Sequence, residues 1–141
     1  MIKTKKLILI ALLITLLYFL QSYFSVGEYY NELSGSCLDC SVWIDLIFNN
    51  VFQLIILILF FLISWRFRME NKWQIIFSSI FLIFWWIFTN NEIFKDRVSG
   101  WSTFLTSEEW ASTIGSSLFP ISVCITIFGV VLPRILNINK K

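Results

Sequence analysis

The stretch of the chain that decides its fold is residues 46–65, LIFNNVFQLIILILFFLISW. Every residue from 54 to 63 is apolar. Twenty residues wound as an α-helix, at about 1.5 Å per residue, are as long as the hydrocarbon core of a bilayer is thick. Backbone polar groups inside lipid must be satisfied within the segment, which a helix achieves. The stretch therefore predicts a transmembrane helix.

Three further apolar runs of similar length lie at residues 7–24, 73–89 and 114–133. Only 14% of the 141 residues are charged and 57% are hydrophobic, whereas a soluble domain carries about 25% charged residues. A membrane β-barrel would show segments of about ten residues that alternate apolar and polar side chains, and these runs do not alternate. The sequence predicts an all-α polytopic membrane protein, with residues 1–141 forming a single domain of four transmembrane helices.

The orientation follows from the lysines and arginines. Nine of the eleven flank one side of the predicted spans: Lys3, Lys5, Lys6, Arg66, Arg68, Lys72, Arg134, Lys140 and Lys141. Because cytoplasmic segments carry the excess of such residues, both termini are predicted to be cytoplasmic. We expect a multi-pass protein of a bacterial inner membrane, with outer loops at residues 25–45 and 90–113.

The N-terminal segment has a second interpretation. The sequence MIKTKK, the apolar run after it and the small residues Ser25-Val26-Gly27 also resemble a secretory signal peptide. The apolar run extends through Tyr23 and Phe24, beyond the usual length of such a region, and this favours an anchor that is not cleaved.

Two cysteines, Cys37 and Cys40, lie in the outer-loop sequence SGSCLDCSVWID, residues 34–45. On the predicted topology they face an oxidising compartment and can form a disulfide, whereas Cys124 lies in span four. The pair, placed before the second of four spans, resembles the disulfide bond formation protein B family. That resemblance implies electron transfer from a periplasmic thiol oxidase to quinone.

The outer loops also depart from that family's pattern. The family has a second cysteine pair, and residues 90–113 contain no cysteine. The acidic neighbours Asp39 and Asp45 disfavour the thiolate that such chemistry needs. A structural clip is therefore the favoured interpretation of Cys37 and Cys40, with a thiol-disulfide oxidoreductase as the alternative.

Other chemistry finds little support in the residue types. The chain has no histidine, and two cysteines with scattered carboxylates do not supply the ligands that zinc prefers. No phosphate-binding loop, Ser–His–Asp arrangement or basic nucleic-acid patch is recognisable. We predict a non-enzymatic protein without metal or cofactor, whose partners are the lipid bilayer and another membrane or membrane-inserting protein, and not nucleic acid.

Polar residues inside the spans suggest where contacts form. Asp45, Asn49 and Gln53 recur every four residues and are predicted to share one face of span two, with Asn50 beside them. Small residues form a similar face on span four: Ser122, Thr126 and Gly129. We expect both faces to pack inside the bundle, because polar side chains in lipid normally point inward. The alternative is a recognition stripe for another membrane protein, to which Trp101 in the outer loop would add a contact.

Two local features are also predicted. Thr106 and Glu109 match a capping box, so a helix should begin in the second outer loop with Thr106 as its cap. Tryptophan commonly anchors a helix at the membrane interface. The sequence predicts this role for Trp43, Trp86 and Trp110 near outer ends of spans, and for Trp65 and Trp73 beside the inner hairpin.

The layout as a whole is similar to that of the immunity proteins against pore-forming colicins. The similarity covers the size, the four spans and the cytoplasmic termini, and includes the segment FTNNEIF, residues 88–94, and a last span ending in FGVVLPRI, residues 128–135. It implies a protein that binds the pore-forming helices of a toxin within the membrane, with specificity in the spans and outer loops. An accessory subunit of a larger membrane complex is the alternative.

Overall fold

The computed structural model describes residues 2–37 and 40–137, with side chains from Thr4 onward. Asp39, Lys140 and Lys141 lie outside the described residues, as does the side chain of Lys3. Within them the chain forms four long α-helices: α1 (Ile2–Val26), α2 (Val42–Arg66), α3 (Asn71–Arg97) and α4 (Thr106–Leu136). Each helix is long and apolar enough to cross a membrane, which confirms the predicted all-helical architecture with four candidate spans.

The helices alternate in direction, so the bundle has two distinct ends. At one end the start of α1 meets the end of α4, where the Lys6 ammonium donates a hydrogen bond of 2.6 Å to the Leu136 carbonyl. We call this the termini end. The opposite end, the loop end, carries the segment 27–41 and the α3–α4 connection. α4 packs most extensively against α1 and α3, while α2 lies to one side against the same two helices.

The connections at the loop end are shorter than the predicted outer loops, because two helices continue past their apolar runs. α3 extends from the end of its run at Thr89 to Arg97, which adds about 12 Å at about 1.5 Å per residue. α4 begins at Thr106, eight residues before its run. Residues 90–97 contain no glycine or proline, so nothing in that sequence ends the helix.

The N-cap of α4 differs from its prediction by one residue. Leu105, and not Thr106, is the N-cap, and its backbone N–H donates to the Glu108 carboxylate at 2.9 Å. Glu109 is 8% exposed and instead accepts a hydrogen bond from the Ser99 hydroxyl. The prediction that a helix starts in the second outer loop is correct. The predicted capping by Thr106 and Glu109 is wrong, because the Glu109 carboxylate is bonded to Ser99 in the α3–α4 connection.

The interior of the bundle combines an apolar core with a polar network. Apolar side chains from all four helices are buried at its centre, among them Ile14, Phe61, Leu82 and Phe128. Towards the loop end the interior becomes polar. There the Asn90 amide of α3 donates to Gln21 of α1 at 3.0 Å and to Ser117 of α4 at 2.9 Å. These bonds tie three helices together.

A second part of the network joins α2 to its neighbours. The Trp86 indole N–H of α3 donates to Gln53 Oε1 at 2.9 Å, and both side chains are fully buried. Gln53 in turn donates to Asn50 at 2.9 Å, and Asn50 donates to Thr15 of α1 at 3.3 Å. The interface-anchor prediction for Trp86 is therefore wrong, because its ring lies inside the bundle.

The predicted small-residue face of α4 is not buried in the interior of the bundle. Ser122 and Thr126 are exposed, and a β-carbon added at Gly129 would meet nothing within 4 Å. Both hydroxyls donate to carbonyls of their own helix, Ser122 to Leu118 at 2.6 Å and Thr126 to Ser122 at 2.8 Å. The expectation that this face packs inside the bundle is wrong, since hydroxyls satisfied by their own backbone can face lipid.

Candidate binding cleft at the loop end

A cleft of about 700 Å³ opens at the loop end between the start of α2 and the end of α3. We call it the loop-end cleft. Its acidic lining comes from Asp45 on α2 and from Glu92 and Asp96 on α3, with Lys95 as the lysine among the lining residues. Glu92 and Asp96 share a face of α3 because they are four residues apart. The cleft thus gathers carboxylates from two helices.

Its walls are partly aromatic. Phe48 of α2 and Phe88 of α3 line the cleft and are 67% and 51% exposed, respectively. Asn49, also in the lining, donates its side-chain amide to the Asp45 carbonyl at 2.9 Å. The cleft can therefore offer apolar contact and hydrogen-bond acceptors to the same ligand.

The third wall is the segment that precedes α2. The Gly35 backbone N–H donates to the Asp96 carbonyl at 2.7 Å, and the Ser36 N–H donates to the Asp96 carboxylate at 3.0 Å. A β-carbon at Gly35 would lie 3.0 Å from that same carbonyl, which is closer than side chains normally approach. Glycine at this position lets the segment lie directly against the end of α3.

Arg97 holds this segment through hydrogen bonds to its backbone. Arg97 is only 4% exposed. Its guanidinium donates hydrogen bonds to the Glu32 carbonyl at 2.5 Å and to the Cys40 carbonyl at 3.0 Å. The same group lies 3.9 Å from the Asp45 carboxylate. One buried side chain therefore holds both ends of the segment that bears the cysteines.

The two cysteines form a disulfide within that segment. Cys37 and Cys40 have Cα atoms 5.3 Å apart and joined sulfurs, and the Cys37 N–H donates to the Ser34 hydroxyl at 3.1 Å. Cys124 is buried in α4 and is not part of this group. The disulfide and Arg97 together define the path of the chain next to the cleft.

The predicted stripe is divided by the structure. Asp45 and Asn49 line the cleft, whereas Gln53 is fully buried among the helices. At about 3.6 residues per turn, each step of four residues rotates the side chain by about 40°, so the third member is turned by about 80° from the first. That rotation carries Gln53 from the rim into the interior, beside Asn50.

Trp101 lies outside the cleft. Its indole N–H donates to the Leu33 carbonyl at 2.9 Å, and its side chain is 56% exposed. It lines a separate hollow of about 420 Å³ together with Leu33 and Phe104. Trp101 therefore belongs to the loop end but not to the group formed by Asp45 and Asn49.

No protein family, curated protein or solved structure matches the chain. The interpretation of the cleft therefore depends on its own residues. Within residues 2–37 and 40–137, no group of three or more histidine, cysteine or acidic side chains is arranged to hold a metal ion. Carboxylates beside aromatic rings in an open cleft are suited to binding a cationic or amphipathic group.

The sequence interpretation did not identify Glu92, Asp96 or Arg97 as parts of a site. All three come after the long apolar run that ends at Thr89, in a stretch for which the sequence predicts a loop. The signal that could have placed them is the spacing of the two acidic residues on a helix that continues without a breaking residue. Arg97 gives no such signal, because its partners are backbone carbonyls far away in sequence.

Proposed function

We propose that the protein is a non-enzymatic membrane protein that acts by binding another membrane or membrane-inserting protein at its loop end. The observation that carries this proposal is the loop-end cleft, in which side chains from α2 and α3 face an open space of about 700 Å³. That volume is in the range of typical ligand sites. With the orientation that the cations predict, this cleft would face the outer side of the membrane, which we expect to be a bacterial inner membrane.

The contrast between the two polar regions supports an interaction role for the cleft. Inside the bundle, hydrogen bonds to other helices are made by Asn90, Gln53 and Trp86. Glu92 and Phe48, in contrast, are exposed in the cleft. Buried polar side chains that bond one another hold a bundle together, whereas exposed ones that line a cleft are available to a partner.

Immunity to a pore-forming toxin is the specific form of this function that we propose. A toxin that arrives from outside would meet the loop end first, and its membrane-inserted helices would lie beside α2 and α3. We expect such helices to contact the exposed phenylalanines of the cleft. Cells that make the protein should then resist the toxin's discharge of potassium, which an ion electrode measures directly.

The binding role can be tested by photocrosslinking in living cells. A photoreactive amino acid at Phe48 or Phe88 should capture one defined protein, either an added toxin or a resident subunit. The same amino acid at Phe84 is the matched control, because Phe84 is 72% exposed on α3 but is absent from the cleft lining. Equal capture from Phe84, or no protein captured from the cleft, would contradict the proposal.

A thiol-disulfide oxidoreductase is the second candidate, and the observation that favours it is the Cys37–Cys40 disulfide at the loop end. Cys40 is exposed, so a partner thiol could approach it. The purified protein should in that case oxidise a dithiol peptide while reducing an added quinone. An unchanged quinone spectrum would exclude this candidate. Capture of a resident protein without toxin would favour the remaining alternative, an accessory subunit.

A further inference from the structure

Resting on the proposed function, we infer that the partner of the loop-end cleft is a protein segment with a cationic side chain flanked by apolar residues. The cation would lie among Asp45, Glu92 and Asp96, and the apolar residues would lie against Phe48 and Phe88.

The carboxylates that line the cleft are incompletely paired within the protein. Asp45 is 3.9 Å from Arg97, but the Arg97 guanidinium already donates to two backbone carbonyls. Glu92 is exposed on the same helix as Lys95 and, among the described residues, lies in no ion pair. Asp96 accepts from the Ser36 backbone through one oxygen. A cation from outside would therefore find acceptors that the chain itself leaves open.

The charge of the whole loop end favours the same kind of partner. Its described residues include seven carboxylates against Lys95 and Arg97: Glu28, Glu32, Asp45, Glu92, Asp96, Glu108 and Glu109. The termini end has the opposite balance, with Glu70 as the one acidic side chain among its described residues. An excess of one charge sign around a cleft attracts ligands of the opposite sign and raises their association rate.

The size and walls of the cleft favour a peptide segment over a simple ion. A cavity of about 700 Å³ is far larger than an inorganic cation, and two of its lining residues are exposed phenylalanines. Aromatic rings attract arginine and lysine side chains through their faces and also bind their aliphatic stems. A lysine or arginine between leucines or phenylalanines satisfies both parts of this lining.

The test uses the full protein in nanodiscs of phosphatidylcholine and two labelled twelve-residue probe peptides. One probe carries arginine between leucine and phenylalanine residues, and the other carries glutamine in place of arginine. We expect the arginine probe to bind at least about tenfold more tightly, the factor of one charged hydrogen-bonded contact. The double variant Asp45→Asn with Glu92→Gln should remove that difference, while Glu70→Gln at the termini end should retain it.

Equal affinity for both probes, or no saturable binding of the arginine probe, would overturn the inference. The other possible occupant is a lipid headgroup, which discs that contain phosphatidylethanolamine test, because its ammonium donates hydrogen bonds and the quaternary ammonium of phosphatidylcholine does not. If this lipid abolishes arginine-probe binding, its ammonium group occupies the cleft and the partner is not a protein segment. The photocrosslinking result distinguishes failure of this inference from failure of the proposed function. A captured protein whose contact segment lacks lysine and arginine would refute this inference alone, whereas no capture at all would refute the proposed function.

Discussion

Replacement of Gln53 by leucine should destabilise the bundle, although leucine suits a membrane span better than glutamine does. The change removes the acceptor of the Trp86 indole N–H, which is fully buried, and breaks the bond between α2 and α3. Interhelical hydrogen bonds in membrane proteins contribute about 0.6 kcal/mol on average and up to about 1.7 kcal/mol. The unpaired indole adds a cost, so we expect a loss of about 1–2 kcal/mol in the free energy of unfolding.

The matched control is Asn49→Leu, four residues earlier on the same helix. Asn49 is partly exposed and its amide bonds only to the Asp45 carbonyl of its own helix. Its replacement should change the free energy of unfolding by less than about 0.5 kcal/mol, as is usual for surface positions. Any effect of Asn49→Leu should appear instead as weaker crosslinking from the cleft.

Reversible unfolding in mixed detergent micelles, followed by circular dichroism, measures both variants. A double-mutant cycle of Gln53→Leu with Trp86→Phe isolates the bond itself, and we expect a coupling energy of about 0.6–1.7 kcal/mol. A coupling energy near zero would refute the reasoning, because the bond would then contribute nothing. So would a larger loss of stability from Asn49→Leu than from Gln53→Leu.

Three further predictions concern the loop end and the orientation. A reporter active only in the cytoplasm should work when fused after Leu136 or within residues 66–71, and an active fusion within residues 98–105 would contradict the predicted topology. Replacement of both Cys37 and Cys40 by serine should lower the free energy of unfolding by about 2 kcal/mol or less, because the ring that the disulfide closes is short. Disulfide formation in other periplasmic proteins should continue, and its loss would favour the oxidoreductase candidate. Arg97→Met should speed hydrogen exchange at the Gly35 and Ser36 amides, because it loosens the segment before α2. The control Lys95→Met, at an exposed residue, should leave these rates unchanged. Equal exchange rates in the two variants would show that Arg97 does not hold the segment.

The four helices were predictable because each requires only a run of apolar residues about as long as the membrane is thick. Their ends at the loop end were not, since a helix in water needs no apolar residues and continues until a residue stops it. The sequence therefore predicts a loop at residues 90–97, although they form two turns of α3. A span that ends at Thr89 puts Trp86 near the membrane surface, whereas in the structure about 16 Å of helix separates Trp86 from the end of α3 at Arg97.

The site was predictable only in part, for two physical reasons. A period of four residues suggested a single stripe, but an α-helix turns slightly more than once in four residues, so Asp45 and Gln53 have different neighbours. Small polar residues suggested an interior face on α4, but the Ser122 and Thr126 hydroxyls are satisfied by their own helix. Periodicity shows which residues share a face, but it does not show which face meets another helix.

The polar network inside the bundle consists of amides, hydroxyls and one indole, among them Asn90, Gln21, Ser117 and Gln53. None of these groups gains or loses a proton in the range of pH that a cell meets, and none carries a charge on which the membrane potential can act. The network can therefore join four helices without offering protons a path along titrating side chains.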